Sequence, residues 1–381
     1  MENESQPVRL KEVASLFLKL GVIGFGGPAA HIAMMQYEVV TRRKWFSEQH
    51  FLDLIGATNL IPGPNSTEMA IHIGYEKAGW KGLIVAGMCF ILPAIFITLL
   101  FAWLYKQYGK LPEIQPFIYG IKPAIIAVIL AAILPLAKKS LKTTELGILG
   151  LTALTLSLVG FNEVYIMFGA GFMAMVLTAI RNHQFKSGAG SIFPLTILQI
   201  SNVTILSVSN LNLFLIFLKI GAILYGSGYV LFAFLDAELV TTGLLSRQQL
   251  IDAIAVGQFT PGPLFSSVTF IGYQINGWTG ALVSTIGIFL PSFVFVALLN
   301  PLVRKMRNSR LFSSFLDGVN VASVAIIIAI CYLMGKESIT DWRTILIGII
   351  SIAITFSFKK VNSALVVIGG ATMGYLLTII F

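Results

Sequence analysis

The tripeptide Pro62-Gly63-Pro64, followed by Asn65-Ser66-Thr67, recurs 199 positions later as Pro261-Gly262-Pro263 in a similar neighbourhood. The match runs from Phe17-Leu18-Lys19-Leu20-Gly21 against Phe217-Leu218-Lys219-Ile220-Gly221 to Leu92-Pro93 against Leu290-Pro291. Between these lie Gly26 and Gly226, Glu38 and Glu238, Asp53 and Asp252, and Gly79-Trp80 and Gly277-Trp278. The chain is a duplication, so its fold must accommodate the same break twice. Proline lacks an amide hydrogen and clashes with the preceding turn, so two prolines flanking a glycine cannot continue a helix. The break also falls in apolar surroundings. With 56% hydrophobic and 11% charged residues, against about 25% charged in an ordinary soluble domain, the chain belongs in a lipid bilayer. There, non-helical backbone is tolerated only where protein or a water-filled cavity satisfies its polar groups.

Stretches 83–105, 117–137, 197–225 and 281–303 reach the roughly 20 apolar residues that a spanning helix needs, and are too even for barrel strands. The first half reads as helices at 12–35, 82–105, 116–137, 145–160 and 163–181. Its segment 51–78 either crosses as a broken helix or enters and returns as a hairpin. Lys and Arg positions decide between these. A returning hairpin gives five crossings per half, and an outside N-terminus then places 16 Lys/Arg inside and 7 outside; a crossing segment gives 11 against 12. The bias selects an all-α polytopic protein of two inverted-topology repeats, each with a re-entrant Pro-Gly-Pro hairpin: 1–186, a linker at 187–209, and 210–381. Clusters Arg42-Arg43-Lys44, Lys138-Lys139 with Lys142, Arg304-Lys305 with Arg307 and Arg310, and Lys359-Lys360 then face the cytoplasm, which accounts for the formal charge of +9 without nucleic acid. Met1 to Lys11 shows no removable signal peptide. Cys89 and Cys331 sit singly in apolar helices and read as packing residues.

Paired interruptions in two halves are the sequence pointer to a substrate site in a secondary transporter. A helix N-terminus offers free amide hydrogens and a partial positive charge, which suits an anion. Asn65, Ser66 and Thr67 in one half, and Ser266 and Ser267 in the other, add side-chain donors there. The glycine break with Gly26 and Gly27 before His31, and its partner at Gly226, adds backbone amides to the same cavity. Lys19, Lys219 and Lys122 are costly within spans, and either line the path or snorkel to an interface. Glu68 and His72 share one helix face, either as a structural pair or as proton carriers. Glu38 and Glu238, adjacent to loops, cap a helix end or pair with nearby bases, while Asp53 and Asp252 hold the hairpins against their neighbours. No Walker-type loop or metal-ligand pattern is present, and no cofactor is expected.

The run Phe-Gly-Gly-Pro-Ala-Ala-His-Ile at 25–32, Trp45-Phe46-Ser47-Glu48, and Gly-Gln-Phe-Thr-Pro-Gly-Pro at 257–263 resemble, together and in order, the chromate ion transporter family, in its long two-domain members. The resemblance implies a ten-span bacterial inner-membrane protein with halves of opposite orientation, exporting chromate at the expense of the proton motive force. It also implies that the glycine-rich and Pro-Gly-Pro segments bear on transport. Two departures are Ser227, where the family has glycine, and Leu264, where the first half has Asn65. Sulfate has the shape and charge of chromate and suits the same donors. The expected partners are such an oxyanion, the bilayer and a second copy of the chain as a homodimer. Other readings are transport of a different anion or a phosphate-bearing lipid intermediate, and a membrane enzyme acting on phosphate esters.

Overall fold

The computed structural model describes residues 6–181, 209–226, 228–307, 309–358 and 361–380. Ser227, Lys359-Lys360 and all but the last residue of the segment 187–209 lie outside these residues, as do the side chains of Arg304, Lys305 and Arg307. The described residues form helices α1 (Gln6–Ile23), α2 (Gly27–Gln36), α3 (Glu48–Thr58), α4 (Asn65–Tyr108), α5 (Gln115–Ser140), α6 (Thr144–Val159) and α7 (Glu163–Arg181) in the first half. The second half holds α8 (Asn210–Ile223), α9 (Val230–Leu235), α10 (Arg247–Phe259), α11 (Ser267–Arg307), α12 (Arg310–Ser338), α13 (Trp342–Ser357) and α14 (Ser363–Ile380). Six of these are long and apolar enough to cross a membrane, and Thr144–Val159, Asn210–Ile223 and Trp342–Ser357 are shorter apolar helices.

The helix expected over 12–35 is broken. α1 ends at Ile23, and the chain turns through Gly26, whose φ of 104° is closed to most side chains, before α2 begins. α4 and α11 also reverse internally, at Ala78–Gly79 and Asn276–Gly277. A Cβ built on Gly74 would lie 2.3 Å from the Gly82 carbonyl, and Thr269 and Thr285 hydroxyls meet at 2.7 Å, contacts that only antiparallel helices allow at these separations. α3 doubles back beside the first arm of α4, since His50 and Glu76 lie 3.7 Å apart.

The halves are related by a pseudo-two-fold, in which a contact from residue i to j is repeated from the equivalent of j to that of i. Gly120 abuts Gly370 and Gly374, while its counterpart Gly318 abuts Ala170 and Ala174. The last two helices of each half thus pack on the other half: α13 and α14 on α5, α6 and α7 on α12. Small residues allow this approach, which in lipid rests on close packing rather than on a hydrophobic drive between helices. The equivalent helices α5 and α12 run antiparallel. Along α5 and the two residues past its end, from Tyr119 to Ile126 to Lys142, the partners fall from Asp341, just past α12, to Cys331 and Asp317 within it.

Candidate functional site

Each Pro-Gly-Pro tip is seated in the helix break of the other half. The Gly63 amide donates to the Leu224 carbonyl at 2.7 Å, and the Gly262 amide donates to the Gly24 carbonyl, also at 2.7 Å. Gly24 and Leu224 hold equivalent positions two residues before Gly26 and Gly226. The two unwound segments therefore satisfy one another's backbone, which is the condition for irregular chain at membrane depth. Buried His31 reinforces one seat, with Nε2 at 2.9 Å from the Gly24 carbonyl, so this nitrogen carries the proton. At the other seat the ground differs, since Gly226 faces Ser323 and Asn320.

Below the first tip, α4 opens at Asn65, whose side chain donates to Asn59 Oδ1 at 3.0 Å and closes the loop. The first amides of a helix have no partner within it, so those of Asn65 and Ser66 present the positive end of α4. Pro62, Pro64, Pro261 and Pro263 hold the tips open by ending the helices on either side. Ser66, Thr67, Glu68 and His72 are all buried. Thr67 Oγ1, Glu68 Oε2 and both ring nitrogens of His72 have no hydrogen-bond partner among the described residues. Glu68 and His72 share a face but make no bond to each other. Instead, Glu68 Oε1 accepts from Ser292 Oγ at 3.4 Å, across the boundary between halves. At the second tip, Thr98 of α4 donates to Ser266 at 3.3 Å, and Ser267 Oγ is buried without a partner. The backbone is thus symmetric and the side chains are not: Glu68 answers to Ser267, and Ser292 to Ala94.

Chemically, the first tip combines an electropositive helix end, unsatisfied donors and a fully buried carboxyl group. A dianion and an ionised Glu68 would compete for the same helix end.

The lysines are placed elsewhere. Lys19 meets Glu38 at 2.7 Å and Lys219 meets Glu238 at 2.6 Å, and Glu38 is also bound by Arg42 at 3.0 Å and Arg43 at 3.4 Å. Each ammonium is answered by a carboxylate of its own half. Lys122 interacts electrostatically with Asp252, which accepts from Tyr105 at 2.6 Å, so these groups join α10 to α5 and α4. Ser292, Thr98 and Tyr105 escaped the sequence argument because their counterparts Ala94, Val296 and Val303 are apolar, and the repeat gave no polar match.

The chain matches the chromate transporter family model twice, over residues 11–175 and 211–375. It is 30% identical to a probable chromate transport protein of Synechococcus elongatus over 96% of this chain and 95% of that one. It is also 30% identical to a chromate transport protein of Cupriavidus metallidurans, over 96% of this chain and 92% of that one. An uncharacterized transporter of Methanocaldococcus jannaschii is 28% identical over 99% and 96% of the two chains. No solved structure matches.

Proposed function

Since this chain belongs to the chromate transporter family and is a multi-pass membrane protein, we propose that it exports chromate, or a similar tetrahedral oxyanion such as sulfate, across the bacterial inner membrane in exchange for protons. The observation that carries the proposal is the pair of reciprocally seated Pro-Gly-Pro tips with buried, unpartnered polar groups at the helix starts behind them. The anion binds at the amides of Asn65 and Ser66 with the hydroxyls of Thr67, Ser266 and Ser267, and Glu68, with His72 behind it, carries the proton. Lys122 adds a cation farther along the path, and Lys19 and Lys219 stand at its ends.

In this reading the two halves insert in opposite directions, each with five spans and a re-entrant hairpin. The antiparallel run of the equivalent helices α5 and α12, and the return of α3 beside α4, support it. The six long apolar helices, the three shorter ones and α1 then supply ten spans.

Labelled chromate and sulfate flux in vesicles with an imposed pH gradient tests both cargo and driving force. Flux of chromate that grows with the gradient is the expected result, and no flux of either anion sinks the proposal.

A further inference from the structure

The halves share a fold but not a packing state. In the second half, α9 is buried along its length and α10 is buried from Leu250 to Gln258. These helices pack on α12 and α7, and on α5 and α14. The equivalent α2 buries only His31 and Met35, and α3 only Phe51, Leu54, Ala57 and Thr58. Leu52 is 49% exposed where its counterpart Ile251 is 0% exposed. α2 and α3 do not make comparable packing on α5, α14, α12 or α7. One hairpin arm is docked on the surrounding helices and the other is not.

An ion pair closes the docked side. Arg247, the first residue of α10, donates to Glu337 at the end of α12 at 2.7 Å, and to Asp236 at 2.8 Å. The register of the repeat is set here by matching helix caps: Ser47 caps α3 as Ser246 caps α10, and α5 ends at Ser140 as α12 ends at Ser338. Arg247 therefore corresponds to Glu48 and Glu337 to Lys139. The pair is kept with its charges exchanged. Glu48 and Lys139 are both exposed and make no ion pair among the described residues. Gln36 stands where Asp236 does, and supplies an amide donor that suits a glutamate in place of the carboxylate that suits an arginine.

From this we infer that the protein alternates between two gates, Arg247–Glu337 on one membrane face and Glu48–Lys139 on the other, and that only one is closed at a time. The inference rests on the inverted arrangement proposed above. In an inverted repeat, the second access state is reached when each half adopts the packing now held by the other. α3 then docks on α12 and α7, Glu48 meets Lys139, and α10 leaves α5, separating Arg247 from Glu337. With the orientation given by the basic clusters, the Arg247–Glu337 gate is outside, so the structure is the state open to the cytoplasm.

The test uses full-length protein in membrane vesicles, with Cys89 and Cys331 replaced by Ala. Two double variants, R247C/E337C and E48C/K139C, are treated with a short bifunctional thiol reagent. The R247C/E337C pair cross-links in the resting protein. E337Q in the E48C/K139C background removes an ion pair that holds the opposite state, and raises cross-linking at 48–139 by roughly two- to fivefold. K139Q does the reverse for 247–337. Full cross-linking of both pairs at rest, or a 48–139 yield indifferent to E337Q, overturns the alternation. A membrane-impermeant thiol label on single cysteines separates this failure from failure of the inverted reading. Positions 48 and 139 react from one side, and 247 and 337 from the other. Reaction of all four from one side sinks the inverted arrangement and the gates with it, whereas opposite sidedness with unlinked yields sinks the gates alone. As a check independent of the cysteine pairs, R247E loses transport, and R247E/E337R/D236Q, which adopts the polarity of Glu48–Lys139 together with the amide of Gln36, recovers it. No recovery in a triple variant that folds counts against the gate.

Discussion

Gly63→Ala tests the seating of the first tip directly. Gly63 has φ of 134°, a region essentially reserved for glycine, and a Cβ there would lie 2.4 Å from Glu68 Oε1 and 2.7 Å from Ser292 Oγ. Holding an alanine at such φ costs on the order of 1–3 kcal/mol. Both obstacles are rotatable ends of side chains, and turning them aside adds about 1 kcal/mol. The sum is a large part of the roughly 5–15 kcal/mol by which proteins are stable. The equivalent Gly262 supplies an internal control. Its φ is 92°, but its nearest obstacle is Ala94 Cβ at 2.9 Å, and the Gly21 carbonyl follows at 3.4 Å. Gly262→Ala carries the same backbone cost, and its obstacles, a methyl fixed to α4 and a backbone carbonyl, cannot rotate aside as the Glu68 carboxyl and Ser292 hydroxyl can, so it is at least as costly as Gly63→Ala. Thermal unfolding in detergent, followed by fluorescence-detected size exclusion, gives the order, and chromate flux per folded molecule gives the consequence. Adding Ser292→Ala to Gly63→Ala removes one of the two obstructing groups and recovers part of the loss. A Gly63→Ala or a Gly262→Ala protein as stable as the parent refutes the reciprocal seating.

Glu68→Gln preserves shape and removes the titrating group, so chromate flux no longer follows an imposed pH gradient while anion exchange persists; flux that still tracks the gradient removes Glu68 from the coupling. Lys219→Ala strips Glu238 of its lysine and costs about 1–2 kcal/mol, whereas Lys19→Ala leaves Arg42 and Arg43 on Glu38 and costs about 0.5 kcal/mol. Equal losses in melting temperature would contradict that ordering. At the α12–α13 connection, the hydrogen bond from the Tyr119 hydroxyl holds the Asp341 carboxyl below the usual carboxylate range. A depressed value stabilises the fold above the unfolded carboxyl pKa of about 4, and the benefit is lost as pH falls through the folded value. Tyr119→Phe should therefore lower the melting temperature near neutral pH, with a penalty that shrinks below about pH 4. A penalty of the same size across pH 3–7 would assign the loss to packing instead.

Several elements were legible because they depend on local requirements. Apolar length places α5, α6 and α7 within a few residues of their expected positions, since a backbone in lipid must satisfy its hydrogen bonds within its own helix. The Pro-Gly-Pro breaks were legible for the complementary reason, that proline cannot make those bonds. The break at Gly24–Gly26 inside the first expected helix was less so, because glycine permits a turn without requiring one. In the site, Thr67, Glu68 and Ser267 were found through their place after a break, while Ser292 was not.

What the sequence determined by itself is the duplication, the helical content and the two points where helices must end, all set by residue type at neighbouring positions. What only the tertiary structure decided is which carbonyl receives each glycine amide, that Ser292 rather than His72 meets Glu68, and that one hairpin arm is docked while its counterpart is not. Gly63 and Leu224, or Glu68 and Ser292, come together only because the halves pack around a pseudo-two-fold. Contacts between distant segments follow from how whole surfaces fit, and neither helical periodicity nor motif spacing records that fit. That the two hairpin arms pack differently is likewise a property of the folded surfaces and not of the repeat.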